Sequence, residues 1–119
     1  MATLGKHEPD GLIAGDFPTE AQEITIADPA EFRRGDVLGI VAGTGRYVLA
    51  DSSASDGSQG AAGIACDDVA VADGASAVSN MFVKGDFSYG RLRFGGDGSP
   101  DPHLRRMTEI GLIVRKTKA

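Results

Sequence analysis

The part of the chain that decides the fold is residues 60–114. It opens with GAAGIAC (residues 60–66), continues through FVKGDF (82–87) and closes with LRRMTEIGLIV (104–114). These three stretches indicate strands, a glycine break, one short helix and a last strand, in that order. No catalytic motif lies within them, so the chain is better searched for binding surfaces than for reaction chemistry.

Apolar and β-branched residues predict strands near 62–66 and 68–72, followed by a long strand over 76–83 that resumes over 87–94. Gly85 lies between the last two and marks a bulge or a bend.

The helix is predicted from its two ends. Asp101 and Pro102 suit a helix start, and Gly111 suits its end, just before the apolar strand at 112–114. Leu104 and Met107, three residues apart, give the helix one apolar face.

Upstream, Glu23 to Ile26 alternates as a strand. Residues 28–31 carry a capping pattern and predict one helical turn. Residues 37–41 and 46–50 predict a hairpin around the glycines of 42–45, because glycine supplies the positive φ of such turns. A polar loop follows over 51–60. With one helix and roughly seven short strands, the fold is predicted to be a small, β-rich α+β domain of mixed and antiparallel strands.

Residues 1–22 are predicted to form an extended arm, and residues 23–119 the core. The arm mixes Gly, Pro and acidic residues with isolated apolar ones and shows neither strand nor helix periodicity. Leu12, Ile13 and Phe17 are costly to leave in water, so we expect this segment to order on a partner.

Composition limits the function classes. The chain has 17 acidic and 12 basic residues, and the acids concentrate before residue 82 and the bases after it. This asymmetry suits either head-to-tail subunit contacts or ordinary solvated faces. Overall acidity argues against nucleic acid as the main partner. No run approaches the roughly 18 apolar residues of a membrane span, and the N-terminus lacks the pattern of a secretory signal.

No catalytic, metal or cofactor site can be assembled from the sequence. Cys66 lies in an apolar run and is expected to be a small buried hydrophobe. His103 has no second ligand at helical spacing, and the acids at 67, 68 and 73 lack the spacing of a calcium loop. The tripeptide at 34–36, RGD, matches the integrin-type adhesion motif. Three-residue matches are common by chance, and here Gly35 has a plain role as a turn before a strand. The hairpin tip at 43–45 has no lysine for a biotinyl or lipoyl group.

The chain resembles the head decoration proteins of lambda-type tailed phages in the order of four stretches. These are LIAGDFP (12–18), GAAGIA (60–65), FVKGDF (82–87) and TEIGLIV (108–114). The resemblance extends over residues 12–114. It implies a non-enzymatic cement protein, made in the host cytoplasm and seated on the outside of the expanded phage head.

The resemblance further implies a homotrimer that binds the major capsid protein at three-fold and quasi-three-fold positions and opposes the pressure of packaged DNA. The arm would order on the shell and pair its backbone with a capsid strand. The candidate capsid-binding residues are Leu12, Ile13, Phe17, Pro18, Ile24 and Ile26.

Two other classes stay open at this point. A tail or adaptor module of the virion would share the β-rich composition and the oligomeric state. A small enzyme or cofactor carrier is the other class, against which the missing lysine and the missing catalytic set argue. Binding to expanded shells rather than to tails separates the first of these from a decoration protein.

Overall fold

A computed structural model describes residues 12–13, 19–27, 30–95 and 100–115. Within them the chain forms eight strands and one α-helix: β1 (Glu20–Ala27), β2 (Ala30–Phe32), β3 (Val37–Ile40), β4 (Tyr47–Leu49), β5 (Ala61–Ala65), β6 (Val69–Val71), β7 (Ser76–Ser88), α1 (Leu104–Ile110) and β8 (Leu112–Arg115). Short 3-10 turns cover Tyr89–Arg91 and Asp101–His103. The prediction of a β-rich α+β domain with one short helix near the C-terminus is confirmed.

One six-stranded sheet organises the fold. Its strands lie in the order β1-β7-β5-β3-β4 with antiparallel neighbours, and β8 adds to β7 in parallel. The predicted hairpin is confirmed as β3 and β4, joined through the turn at 42–44. The short strands β2 and β6 pair separately as a two-stranded sheet.

Strand β7 changes partners at Gly85. Residues 76–84 pair with β1, and residues 85–88 pair with β8. Gly85 has a φ of +147°, and a Cβ there would lie 2.7 Å from the Thr19 side chain and 2.9 Å from the Phe87 ring. A side chain larger than hydrogen is therefore excluded on both counts. The strand is not broken at this glycine, because β7 runs through it from Ser76 to Ser88, and Gly85 marks the change of strand partner instead.

The sheet buries apolar side chains on both faces. Successive residues of a strand point to opposite faces, and Val37 and Leu38 accordingly belong to different core clusters, as do Met81 and Phe82. One cluster packs under α1 and β8, and the other packs against β1, β2 and β6. Cys66 is buried in the first cluster, as predicted.

Two predicted elements are corrected by the structure. Ala30–Phe32 forms β2 rather than a helical turn, while residues 28–29 of that prediction lie outside the described residues. The strand predicted over 87–94 ends at Ser88 and gives way to a 3-10 turn, after which Arg93 pairs with Asp36. Both differences follow from pairing between residues distant in sequence, which local patterns do not encode.

The helix has the predicted ends. Asp101–His103 form a 3-10 turn that leads into α1, and Gly111 closes α1 with a φ of +100° before β8 begins. Met107 is fully buried on the inner face. The exposed Arg105 and Glu109 lie 3.5 Å apart, one helical turn from each other.

Candidate functional site

The segment predicted as an arm makes specific contacts with β7. The backbone N–H of Ser88 donates a 2.8 Å hydrogen bond to the carbonyl of Leu12, and Ile13 forms an antiparallel bridge with Phe87. The Leu12 side chain is only 1% exposed and belongs to the same core cluster as Phe87. Leu12 is thus part of the subunit's own core, and the Ile13 side chain is half-buried beside it.

The other candidate capsid-binding residues fall into two groups. Ile24 and Ile26 point inward from β1 and are buried in the second core cluster. Phe17 and Pro18 lie outside the described residues. The structure therefore brings Leu12 and Ile13 together with β7, and Ile24 and Ile26 together with β2 and β6, rather than gathering all six on one surface. Their role in capsid binding stays a prediction.

Strand β1 is an edge of the six-stranded sheet. Among the described strands it pairs with β7 alone, so its opposite side carries backbone groups without a strand partner. Its first four residues, 20–23, are exposed, and β1 begins three residues before the predicted start of the core. Such an edge is a template on which an extended segment of another chain can add as a strand.

The outward face of the β1–β7 pair carries the most exposed large apolar side chain of the described residues. Val78 is 65% exposed and lies opposite Thr25 across the ladder. The inward face of the same pair holds Ile24 and Ile26. A single exposed valine is ordinary on a protein surface, so this face adds little beyond the edge itself.

Four arginines surround a groove that the sequence did not predict. The groove has a volume of about 410 Å³ and is lined by Leu12, Arg33, Arg34, Asp36, Gly90, Arg91, Leu92 and Arg93. Residues 33–36 precede β3, and residues 90–93 follow β7. The two segments are joined where the N–H of Val37 bonds to the carbonyl of Arg93 at 2.9 Å, and the N–H of Arg93 bonds to Gly35 at 3.2 Å.

An ion pair between the half-exposed Arg93 and the buried Asp36 fixes one wall of this groove. Arg93 donates from Nε and from a terminal nitrogen to the two oxygens of Asp36, each at 2.7 Å, and the N–H of Arg33 donates to the same carboxylate at 2.8 Å. Asp36 is 1% exposed, whereas the Arg93 side chain is 52% exposed. The hydrogen bond and the charge of Asp36 raise the pKa of Arg93 above its ordinary value. The bidentate geometry holds the guanidinium in one orientation.

The burial of Asp36 also argues against an adhesion role for the RGD tripeptide at 34–36. Its carboxylate is sequestered by Arg93, and Arg34 donates to the carbonyl of Cys66 at 2.8 Å while its guanidinium lies 5.5 Å from the centre of the Phe82 ring. Both side chains of the tripeptide are committed within the subunit. An adhesion role would need them presented to solvent.

The two remaining side chains that could take part in catalysis or metal binding, Cys66 and His103, are packed in the interior of the protein. The thiol of Cys66 is buried, and the His103 ring is buried and stacks on Phe94 with ring centres 4.4 Å apart. The described residues contain no group of three or more His, Cys, Asp or Glu side chains placed to hold a metal ion. In the same residues, no helix is both long and apolar enough to cross a membrane.

Among the described residues, the outer edge of β1 and the arginine groove are the surfaces suited to contact with another protein chain. Bacteriophage lambda head decoration protein D is the family whose model matches this chain, over residues 1–98. The chain therefore belongs to the lambda head decoration protein D family, whose members are virion components that bind the phage capsid. No curated protein matches. The match covers β1 to β7 and the whole groove, and it stops before α1 and β8.

Proposed function

We propose that this protein binds the outside of the expanded phage head as trimers at the three-fold and quasi-three-fold sites, and that it stabilises the head against the pressure of packaged DNA. The observation that carries the proposal is the family match over residues 1–98, which includes the N-terminal segment and most of the sheet. Membership in a structural family also leads us to expect no catalytic activity.

The arm, residues 1–22, is the proposed capsid-binding element, with residues 23–119 as the body that carries it. Leu12 and the bridge at Ile13 fasten this segment to β7, and β1 continues from it as a free edge. A capsid strand that adds to the arm or to β1 gains main-chain hydrogen bonds, while side chains at alternate positions supply specificity.

The six candidate residues take two different parts in this proposal. Leu12, Ile24 and Ile26 are buried in the subunit, so they support the contact from beneath by holding the segment and β1 in place. Ile13, Phe17 and Pro18 supply the direct apolar contacts with the capsid. Complete burial of one such apolar side chain is worth about 1.5–3 kcal/mol.

A trimer can bind the capsid stably even when each of its three arms binds weakly. Ordering a free segment costs about 1–2 kcal/mol per residue of backbone, so one arm alone binds weakly. Three arms on one trimer act together, because after the first arm binds the other two are held at high local concentration. Each trimer then links neighbouring capsomers, which is how a small protein opposes outward pressure.

The test is decoration of expanded heads that lack this protein. Purified protein is added in increasing amounts, and bound protein is counted by gel densitometry and located by cryo-electron microscopy. We expect saturation with density at the three-fold and quasi-three-fold positions, and decorated heads that keep their DNA at temperatures where bare heads lose it. Density confined to tails or to the head-tail junction would contradict the proposal and favour an adaptor module.

Two deletions locate the binding element. A chain that starts at residue 12 keeps all six candidate residues and should stay folded and still decorate heads. A chain that starts at residue 19 loses Leu12, Ile13, Phe17 and Pro18, so it should lose decoration and be less stable as well. The matched point variant is Phe17→Ala, which should weaken decoration while the circular dichroism spectrum is unchanged. If the chain that starts at residue 19 is folded and still saturates heads at wild-type concentrations, the contact lies on the folded body instead.

A further inference from the structure

The groove between residues 33–36 and 90–93 has an uneven distribution of charge. Arg93 is neutralised by the carboxylate of Asp36, and that carboxylate is satisfied by further bonding to the Arg33 backbone. The side chains of Arg33 and Arg91 are exposed and make no hydrogen bond or ion pair with the described residues. Leu12 and Leu92 contribute an apolar lining. The groove is therefore a concave, positively charged surface on a rigid frame.

The guanidinium groups of Arg33 and Arg91, which have no partner among the described residues, lie beside the fixed group of Arg93 and are suited to carboxylates. A guanidinium presents its donors in a planar fork that matches the two oxygens of a carboxylate. The ion pair with Asp36 holds the wall in place before a partner arrives, so little side-chain ordering is needed from Arg93. An acidic protein segment fits this chemistry.

The complementary charges lie elsewhere on the same chain. Glu20 and Glu23 are exposed on β1 and form no side-chain ion pair with the described residues. Strand β1 is three positions away from β3 in the sheet order β1-β7-β5-β3. Since neighbouring strands are about 4.8 Å apart, a subunit's own β1 lies about 14 Å across the sheet from the strand that follows its groove.

We propose that the arginine groove binds the acidic start of β1 from a second copy of this chain, with Arg33 and Arg91 facing Glu20 and Glu23 of the neighbour. Contact between two different surfaces is the type of interface that closes into a ring when the rotation between subunits permits. The inference rests on the trimer in the proposed function and specifies the surfaces that form it.

The first test reverses charges in the groove. Arg33→Glu and Arg91→Glu, singly and together, are compared with Arg105→Glu, which makes the same change in charge at an exposed position on α1. Mass is measured by light scattering and by sedimentation across a dilution series. We expect the groove variants to shift from three times the chain mass of 12.3 kDa toward the chain mass itself, with association weakened about tenfold or more. The control should assemble like wild type.

The second test restores the interface by exchanging the charges. The variant carries Glu20→Arg and Glu23→Arg together with the two groove substitutions. Its groove is then acidic and its β1 basic, so the attraction between neighbouring subunits is restored and the trimer should form again. Circular dichroism checks that each variant is folded. If a glutamate variant fails to fold, Arg33→Gln and Arg91→Gln provide the milder change. Raising NaCl from about 50 to about 500 mM should also weaken wild-type assembly, because salt screens exposed charges.

The outcomes separate this inference from the proposed function. A wild-type trimer that decorates heads and is unaffected by folded groove variants would overturn the inference and leave the function intact. Groove variants that remain trimers but lose decoration would also overturn the inference, because the groove would then bind the capsid. Groove variants that remain trimers but lose binding to heparin, a model polyanion, would overturn it as well, because the groove would then bind a polyanion. A wild-type chain that stays a monomer in solution across the dilution series would overturn the inference, and one that also fails to decorate heads would contradict the proposed function itself.

Discussion

Replacement of Leu12 by alanine tests whether the N-terminal segment is part of the core. Leu12 is 1% exposed and packs in a cluster with Val37 and Phe87, and its carbonyl accepts a hydrogen bond from Ser88. Leucine to alanine at a fully buried site costs about 2–5 kcal/mol, depending on how far the surroundings collapse into the space. Here Val37 and Phe87 are held on paired strands and cannot move far, whereas the segment that carries Leu12 can shift inward.

We therefore expect a loss of about 3 kcal/mol, within the lower half of that range. For a domain of this size such a loss lowers the melting temperature by about 10–15 °C. It is a large share of the roughly 5–15 kcal/mol that stabilises a typical domain. The assay is urea unfolding followed by far-ultraviolet circular dichroism, repeated at two protein concentrations because assembly adds apparent stability.

Val78→Thr is the matched control, since it alters an apolar side chain of the same sheet that is 65% exposed. It should change the free energy of unfolding by no more than about 0.5 kcal/mol. If Leu12→Ala also stays within about 1 kcal/mol of wild type, the burial of Leu12 does not contribute to folding. The segment would then belong wholly to the arm, and deletion up to residue 18 would leave the stability of the body unchanged.

Two further predictions concern close contacts and acid. Gly39→Ala should destabilise the protein by about 1–3 kcal/mol in urea unfolding, because the new Cβ would overlap the backbone carbonyl of Ser58. Gly43→Ala is the control and should be nearly neutral, since a Cβ there would have nothing within 4 Å. Equal effects of the two substitutions would refute the steric argument. Hydrogen bonds from Ser53 lower the pKa of Asp51 below its ordinary value of 3.8, so the stability they contribute is complete above that pH and is lost as the pH falls through the lower folded value. Ser53→Ala should make the urea midpoint less sensitive to acid over that window, and an unchanged acid dependence would contradict the assignment.

The elements that the sequence predicted well are those fixed by neighbouring residues. The hairpin of β3 and β4 follows from glycines between two short apolar runs, and α1 follows from Pro102 at its start and Gly111 at its end. The need for glycine at position 85 also has a local cause, since the φ of this residue is positive. In each case the residue type restricts the backbone within a few positions, and the pattern is visible without the rest of the fold.

The features that the sequence did not predict have the opposite origin. The residues before Phe32 carry helix-capping signals, yet Ala30–Phe32 pair with residues 69–71, about 40 positions away. Leu12 shows no periodicity with its neighbours, and its burial depends on contacts with β7, some 75 positions later. Pairing between strands distant in sequence outweighs weak local propensity. A reading of isolated segments therefore cannot assign either one.

The arginine groove was missed for the same reason. Arg33 and Arg34 appear in the sequence as part of a turn, and Arg91 and Arg93 appear as part of a strand. The ion pair between Asp36 and Arg93 joins residues 57 positions apart and brings the two pairs together. The available signal was the recurrence of two closely spaced arginines on either side of the sheet strands, which indicates basic clusters but not that they meet.

The topology suggests why this fold suits a mechanical role. Strand β7 has 13 residues and pairs with β1, β5 and β8, and it also receives the N-terminal segment through Ser88 and Phe87. Both parts proposed to engage the capsid, the segment at Leu12 and the edge of β1, are thus fastened to the same strand. A pull on the arm along the direction of β1 acts on the whole β1–β7 ladder, from Glu20 to Ala27, so its hydrogen bonds share the load instead of breaking one at a time. If the arm binds the shell as proposed, force from the shell reaches β7, which pairs with three other strands, without passing through the loop at 51–60.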